Sequence, residues 1–190
     1  MRICAGFDGS QSDDWTCIKA ETLDGLLFTP KQVDGRPMIW DPKDSGGRVP
    51  RAEVHAAVAH LFATHEVERF YCDPPYWSTE VEVDWPLLYG EKVVIPWQTN
   101  RVTQMHAALE RFVTDLTSKR LTHDGCKITG RHVANARKLL RPGDRYIIGK
   151  PQGAYPQKID AAVTSVLAHE AACDARAAGW GERRENLIYY

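Results

Sequence analysis

The 190-residue sequence lacks the features that mark several large protein classes. No apolar run approaches the roughly 18 residues that a membrane-spanning helix needs. The start Met1-Arg2-Ile3-Cys4-Ala5-Gly6 leads straight into a strand-like segment, so neither a membrane partner nor a targeting signal is expected. The five cysteines, Cys4, Cys17, Cys72, Cys126 and Cys173, are odd in number and form no CxxC pair, which argues against a disulfide framework and a zinc knuckle and suits a reducing cytosol. Nor do the seven histidines supply a zinc motif: His55, His60 and His65 are spaced by five, which spreads them around a helix instead of stacking them at i, i+4, and they read as surface residues. A GxxxxGK[ST] phosphate loop is missing, as are internal repeats, low-complexity tracts and linkers, so one domain over residues 1–190 is expected. Excess positive charge is lacking too. A net charge of −1 looks wrong for a protein that binds nucleic acid by releasing counterions from phosphates.

The distribution of charge changes that last reading. Between Lys127 and Lys158 lie eight basic residues and a single acid, Asp144, whereas Asp8, Asp13, Asp14, Asp41, Asp44, Asp73, Glu80, Glu82 and Asp84 gather in the first half. A basic strip alone is most simply a solvated face. Beside an acidic site it becomes a candidate for contact with DNA phosphates, through Arg131, Arg137, Lys138, Lys150 and Lys158, with His132 and Asn135 one helical turn apart inside it. Tyr76, Trp77 and Trp85 are candidates for stacking on a nucleobase, although aromatics beside prolines more often fill local core. The tail, residues 183–190, is a candidate docking segment.

Residues 3–7 form an apolar strand, and residues 14–23 and 26–32 a hairpin turned by Asp24-Gly25. Residues 35–49, rich in glycine, proline and aspartate, read as a loop. From Pro50 a helix carries Val54, Ala57, Val58, Leu61 and Phe62 at helical spacing. A strand over residues 68–72 stops at Asp73-Pro74-Pro75; a short helix over 79–89, a strand over 92–96 and a helix carrying Met105, Ala108, Leu109, Phe112, Val113 and Leu116 follow. Helix is expected over 129–140, strand over 146–148 and a terminal helix over 159–178. Three hairpin-led strands followed by alternating helices and strands describe an α/β mixed sheet flanked by helices, the order of the ribonuclease H-like architecture.

Within that order, Asp8, Asp73 and Asp160 each fall where a strand ends or a helix begins. If the first strand and the strand over 68–72 run parallel as neighbours, Asp8 and Asp73 meet at the carboxyl rim, where open α/β sheets bind ligands, and the terminal helix lays Asp160 across it. Each aspartate alone has a plainer explanation: Asp8-Gly9 as a turn, Asp73 before prolines likewise, Asp160 as a helix-start residue. Together they form a set of hard oxygen donors that selects two magnesium or manganese ions able to clamp the attacking and leaving oxygens of a phosphodiester. Asp14 is an auxiliary candidate ligand.

These motifs also carry a resemblance. Gly6-Phe7-Asp8-Gly9-Ser10 with Asp13-Asp14, Asp73-Pro74-Pro75-Tyr76-Trp77, Leu121-Thr122-His123-Asp124-Gly125 with His132-Val133-Ala134-Asn135-Ala136, and Lys158-Ile159-Asp160-Ala161-Ala162 resemble, in order and spacing, the nuclease domain of the large terminase subunit of tailed bacteriophages. The resemblance implies a ribonuclease H-like fold, two divalent cations held by Asp8, Asp73 and Asp160, and endonuclease action on double-stranded DNA. It also implies a place in a packaging motor with the small subunit and portal, in the cytoplasm of an infected host. The packaging ATPase of such subunits carries a phosphate loop that this sequence lacks, so an excised domain or a separate nuclease polypeptide is expected, without ATPase activity. Alternatives kept open are a Holliday-junction resolvase on the same scaffold, half of an actin-like ATPase, and a non-catalytic DNA-binding or assembly module.

Overall fold

The structure, a computed structural model, describes residues 1–150, 153 and 157–181. The tail over residues 183–190 lies outside the described residues. In chain order the elements are β1 (Arg2–Asp8), β2 (Thr16–Thr22), β3 (Leu26–Phe28), β4 (Ile39–Trp40), α1 (Arg51–Thr64), β5 (Glu66–Cys72), a π-helical turn over Glu80–Asp84, α2 (Trp85–Tyr89), β6 (Val94–Pro96), α3 (Val102–Thr117), β7 (Thr122–His123), α4 (Lys127–Asn135), β8 (Arg137–Arg141), β9 (Arg145–Gly149) and α5 (Asp160–Ala177). Seven strands make a mixed sheet in the order β6-β5-β1-β2-β3-β7, with β4 on the remaining stretch of β2, while β8 and β9 pair separately. β1 runs antiparallel to β2 and parallel to β5, so the carboxyl ends of β1 and β5 share one rim.

Alternation along β1 divides the core. Ile3, Ala5 and Phe7 face one layer, where they meet Val54, Val58 and Leu61 of α1 and the ring cluster Phe70, Trp77 and Trp85. Cys4 faces the other, with Tyr71, Met105 and Leu109 of α3 and Val166, Leu167 and Ala171 of α5. Trp77 and Trp85 are fully buried and are therefore core residues, not base-stacking platforms; Tyr76 alone of the three is exposed. The close approach of α5 to β1 depends on Gly6, where a Cβ would come within 2.6 Å of the Ala168 amide and 2.7 Å of the Thr164 carbonyl. Because backbone atoms block that space, Gly6→Ala is expected to cost about 1–3 kcal/mol, read as a lower urea midpoint at unchanged slope.

Several expectations need correction. Residues 35–49 are not all loop, because β4 pairs with β2 there. The helix expected over residues 129–140 ends at Asn135, and Arg137–Arg141 is instead a strand paired with Arg145–Gly149. Pro142-Gly143-Asp144 turns this hairpin, with Gly143 and Asp144 both at positive φ. The histidines do not all lie at the surface: His132 and His169 are each 2% exposed, and His55, His60 and His65 are partly buried.

Candidate functional site

The rim of β1 and β5 opens into a cavity of about 340 Å³ whose walls include Asp8, Asp14, Asp73 and Asp160, with Tyr76, Thr99 and Lys150 at its sides. Asp8 ends β1. The turn after it is fixed by an aromatic ring: a Cβ on Gly9 would lie 2.4 Å from the Trp77 indole, whose Nε1 donates to the Ser10 carbonyl at 3.1 Å. The Asp8 loop and the loop after Asp73 are thereby clasped together. Asp73 is held from its own side, its amide donating to the Phe7 carbonyl and its two carboxylate oxygens accepting from the Thr99 amide (3.1 Å) and hydroxyl (2.7 Å).

Asp160 opens α5, and α4 anchors that start. The Ala161 amide donates to Nδ1 of His132 at 3.1 Å, and the Asn135 side-chain amide donates to the Lys158 carbonyl at 2.9 Å. Burial first, then the nearby Arg131, Lys19 and Lys158 cations, lower the His132 pKa to about 4, so a neutral imidazole is available as acceptor. His132 and Asn135, read from sequence as phosphate contacts, therefore fix the helix that carries Asp160; His132 does not reach the surface. Arg131, Arg137 and Lys138 are exposed, and the Lys138 ammonium lies 3.8 Å from the Tyr146 ring centroid. Lys150 and Lys158 both donate to Asp14 Oδ1, Lys158 at 2.9 Å. Their hydrogen bonds overcome the effect of burial and lower the pKa of Asp14.

The other carboxylates are less compensated. Burial, then the charges of Asp160, Asp73 and Asp14, push the pKa of Asp8 well above the ordinary range. Burial and Asp14 raise Asp160 to about 6, and Asp160 Oδ2 is buried with no hydrogen-bond partner. Asp73 is raised by burial against the pull of Thr99. Like charges gathered in low dielectric, with an orphaned carboxylate oxygen among them, are a donor set that hard divalent cations fit. Among the described residues, the one group of three histidine, cysteine or acidic side chains whose ligand atoms all lie within 4.8 Å of one another is elsewhere, at Asp115, His169 and Cys173; the rim aspartates share a cavity wall at wider spacing.

A mixed sheet whose central parallel pair ends in this acidic rim, with a helix laid across it, defines a ribonuclease H-like fold. Comparison with known proteins narrows the class. The crystal structure of the large terminase nuclease from thermophilic phage G20c aligns with a TM-score of 0.62 at 12% identity, covering 88% of this chain and 81% of that one. The HK97 bacteriophage large terminase aligns with a TM-score of 0.66 at 13% identity, covering 88% of this chain and 38% of that one. The magnesium-bound form of the G20c nuclease aligns with a TM-score of 0.60 at 12% identity, covering 88% and 80%. This chain thus has the fold of the large terminase nucleases. In sequence, it is 35% identical over 183 residues to the Gene 13 protein of Mycobacterium phage L5 and 34% identical over 184 residues to that of Mycobacterium phage D29. These alignments cover 91% and 92% of the chain, which spans 30% of the length of each relative. No family model matches the chain. Among the described residues, no helix is long and apolar enough to cross a membrane.

Proposed function

We propose that this chain is a metal-dependent endonuclease that cuts double-stranded DNA during viral genome packaging. The observation that carries the reading is the convergence of Asp8, Asp73 and Asp160, from three distant segments, on one cavity where burial raises the pKa of each. The likeness to terminase nucleases, one of them described with bound magnesium, supports it. In this reading Asp8, Asp73 and Asp160 hold two magnesium or manganese ions, with Asp14 as an auxiliary carboxylate. Bound ions supply Lewis acidity and make water a nucleophile at neutral pH. The chain's own residues position the DNA. Arg131, Arg137 and Lys138 present positive charge to the phosphate backbone, and Lys150 and Lys158 place two ammonium groups at the cavity edge beside Asp14. Contacts of this kind fix register without reading bases, so weak sequence preference follows. We assign the chain to the nuclease part of a packaging motor that works with a small subunit and portal in the cytoplasm of the infected host.

Calorimetric titration with manganese tests the assignment. The wild type should bind manganese saturably and cut linear duplex in preference to a four-way junction, and Asp73→Ala should lose both binding and cutting while keeping its circular dichroism. Equal manganese affinity in that variant would remove the metal centre, and preference for the junction would move the chain to the resolvases.

A further inference from the structure

A second cluster of side chains able to ligate a metal lies in the second half of α5. His169 stands nine residues beyond Asp160, about 13 Å along the axis at 1.5 Å per residue. Its partner Glu21 pairs with Cys4 near the start of β1, away from the Asp8 rim. His169 and Cys173 are at i, i+4 on one helix, so their side chains stack on the same face. Asp115 reaches the same point from α3. The ligand atoms of Asp115, His169 and Cys173 all lie within 4.8 Å of one another. His169 Nε2 is 3.2 Å from Asp115 Oδ2 and 3.4 Å from Cys173 Sγ. Tetrahedral zinc with bonds of about 2.0–2.3 Å to nitrogen, oxygen and sulfur separates its donors by roughly 3.3–3.8 Å, close to these two distances.

The supporting shell is also in place. Glu21, with no exposed surface, sits 2.8 Å from His169 Nδ1, so this carboxylate orients the imidazole and leaves Nε2 for a ligand. Arg176 pairs with the other Glu21 oxygen, and Arg120 donates to Asp115 Oδ1 at 2.5 Å, leaving Oδ2 turned toward His169. Asp115 and Cys173 keep partial exposure, which gives an ion a way in. We propose that Asp115 Oδ2, His169 Nε2 and Cys173 Sγ form a second cation site, for zinc or a metal of similar softness, that staples α5 to α3 and through Glu21 to β2.

Mixed sulfur, nitrogen and oxygen donors select zinc over magnesium, which separates this site from the carboxylate cavity. Without metal, His169 bridges Glu21 and Asp115. His169 Nδ1 donates to the Glu21 carboxylate at 2.8 Å, which fixes the ring whether or not a metal is bound. Metal binding at His169 and Cys173 requires both ligands in their deprotonated forms, so affinity should rise with pH. Arg111 and Arg176 face that thiol, and Glu170 and Asp174 face Arg111, so cations and anions both surround the cluster. The thiolate, Asp115 and Glu21 supply three negative charges for the ion and these guanidinium groups.

Cobalt(II) and zinc titration of the 190-residue protein under reducing conditions tests the site. One equivalent of cobalt should give a near-ultraviolet thiolate-to-metal absorption in the wild type and equally in Asp73→Asn, displaced by zinc. Cys173→Ser should lose that absorption, and Glu21→Gln, which leaves all three ligands, should weaken zinc about 10–100-fold. Asp115→Asn, at a partly exposed position, serves as a second ligand variant should Cys173→Ser not fold. No thiolate absorption in the wild type, or its persistence in Cys173→Ser, overturns the proposal. Neither result bears on the carboxylate site, which Asp73→Asn alone disables.

Discussion

Supercoiled plasmid mixed with Asp8→Asn in magnesium or manganese is expected to stay supercoiled, with nicking slowed by roughly 10³-fold or more. The size follows from the several kcal/mol of charge stabilisation that bound metal contributes in the transition state, at 1.36 kcal/mol per factor of ten. Asp8 is the choice because three carboxylates bear on it at once, those of Asp160, Asp73 and Asp14. Asparagine keeps the shape and removes the anion, so circular dichroism should match the wild type. Gel analysis of nicked and linear products across a manganese series is the measurement. Undiminished nicking by Asp8→Asn would place the chemistry elsewhere.

Asp160→Asn should stabilise the metal-free protein at neutral pH. Asp160 titrates near 6 when folded, above its ordinary 3.8, so the stability it contributes is complete below pH 4 and is lost as pH rises through about 6. An upward shift of this kind corresponds to about 3 kcal/mol at neutral pH. In chelator at pH 7 the asparagine variant should melt roughly 6–12 °C above the wild type. Near pH 4 the two should converge. Adding manganese should raise the wild-type melting temperature and close the gap from the other side. Scanning calorimetry at pH 4, 5.5 and 7, with and without manganese, makes the comparison; a difference that ignores pH would show that Asp160 is not held as a strained anion.

Much of this was legible in the chain. The strand before Asp8 and the strand before Asp73 each announce themselves by apolar residues and a hard stop, and their parallel pairing follows once a helix must cross between them. Asp160 was legible as the first residue of a long helix. The end of α4 was not, because Val133, Ala136, Leu139 and Leu140 keep a spacing that suits a helix as well as the strand actually formed, and only the Pro142-Gly143-Asp144 turn distinguishes the two. β4 is two residues long in a stretch of turn-forming composition and depends wholly on β2 for its existence. The roles of His132, Asn135, Lys150 and Lys158 all depend on partners more than 20 residues away in sequence. Local pattern holds no trace of the Ala161 amide or the Asp14 carboxylate that they meet. The pair His169 and Cys173 was not read from the sequence, although it has i, i+4 spacing, because its third donor, Asp115, comes from α3.

The passage of α5 over Gly6 makes the rim depend on one packing contact. Residues 8 and 73 end neighbouring strands, whereas the third acid reaches the rim only through the packing of the segment 160–177 on the sheet. A chain caught short of that step owns the acids but not their meeting place. Under the proposed function, displacing α5 from the sheet would abolish cation binding without altering a single ligand residue.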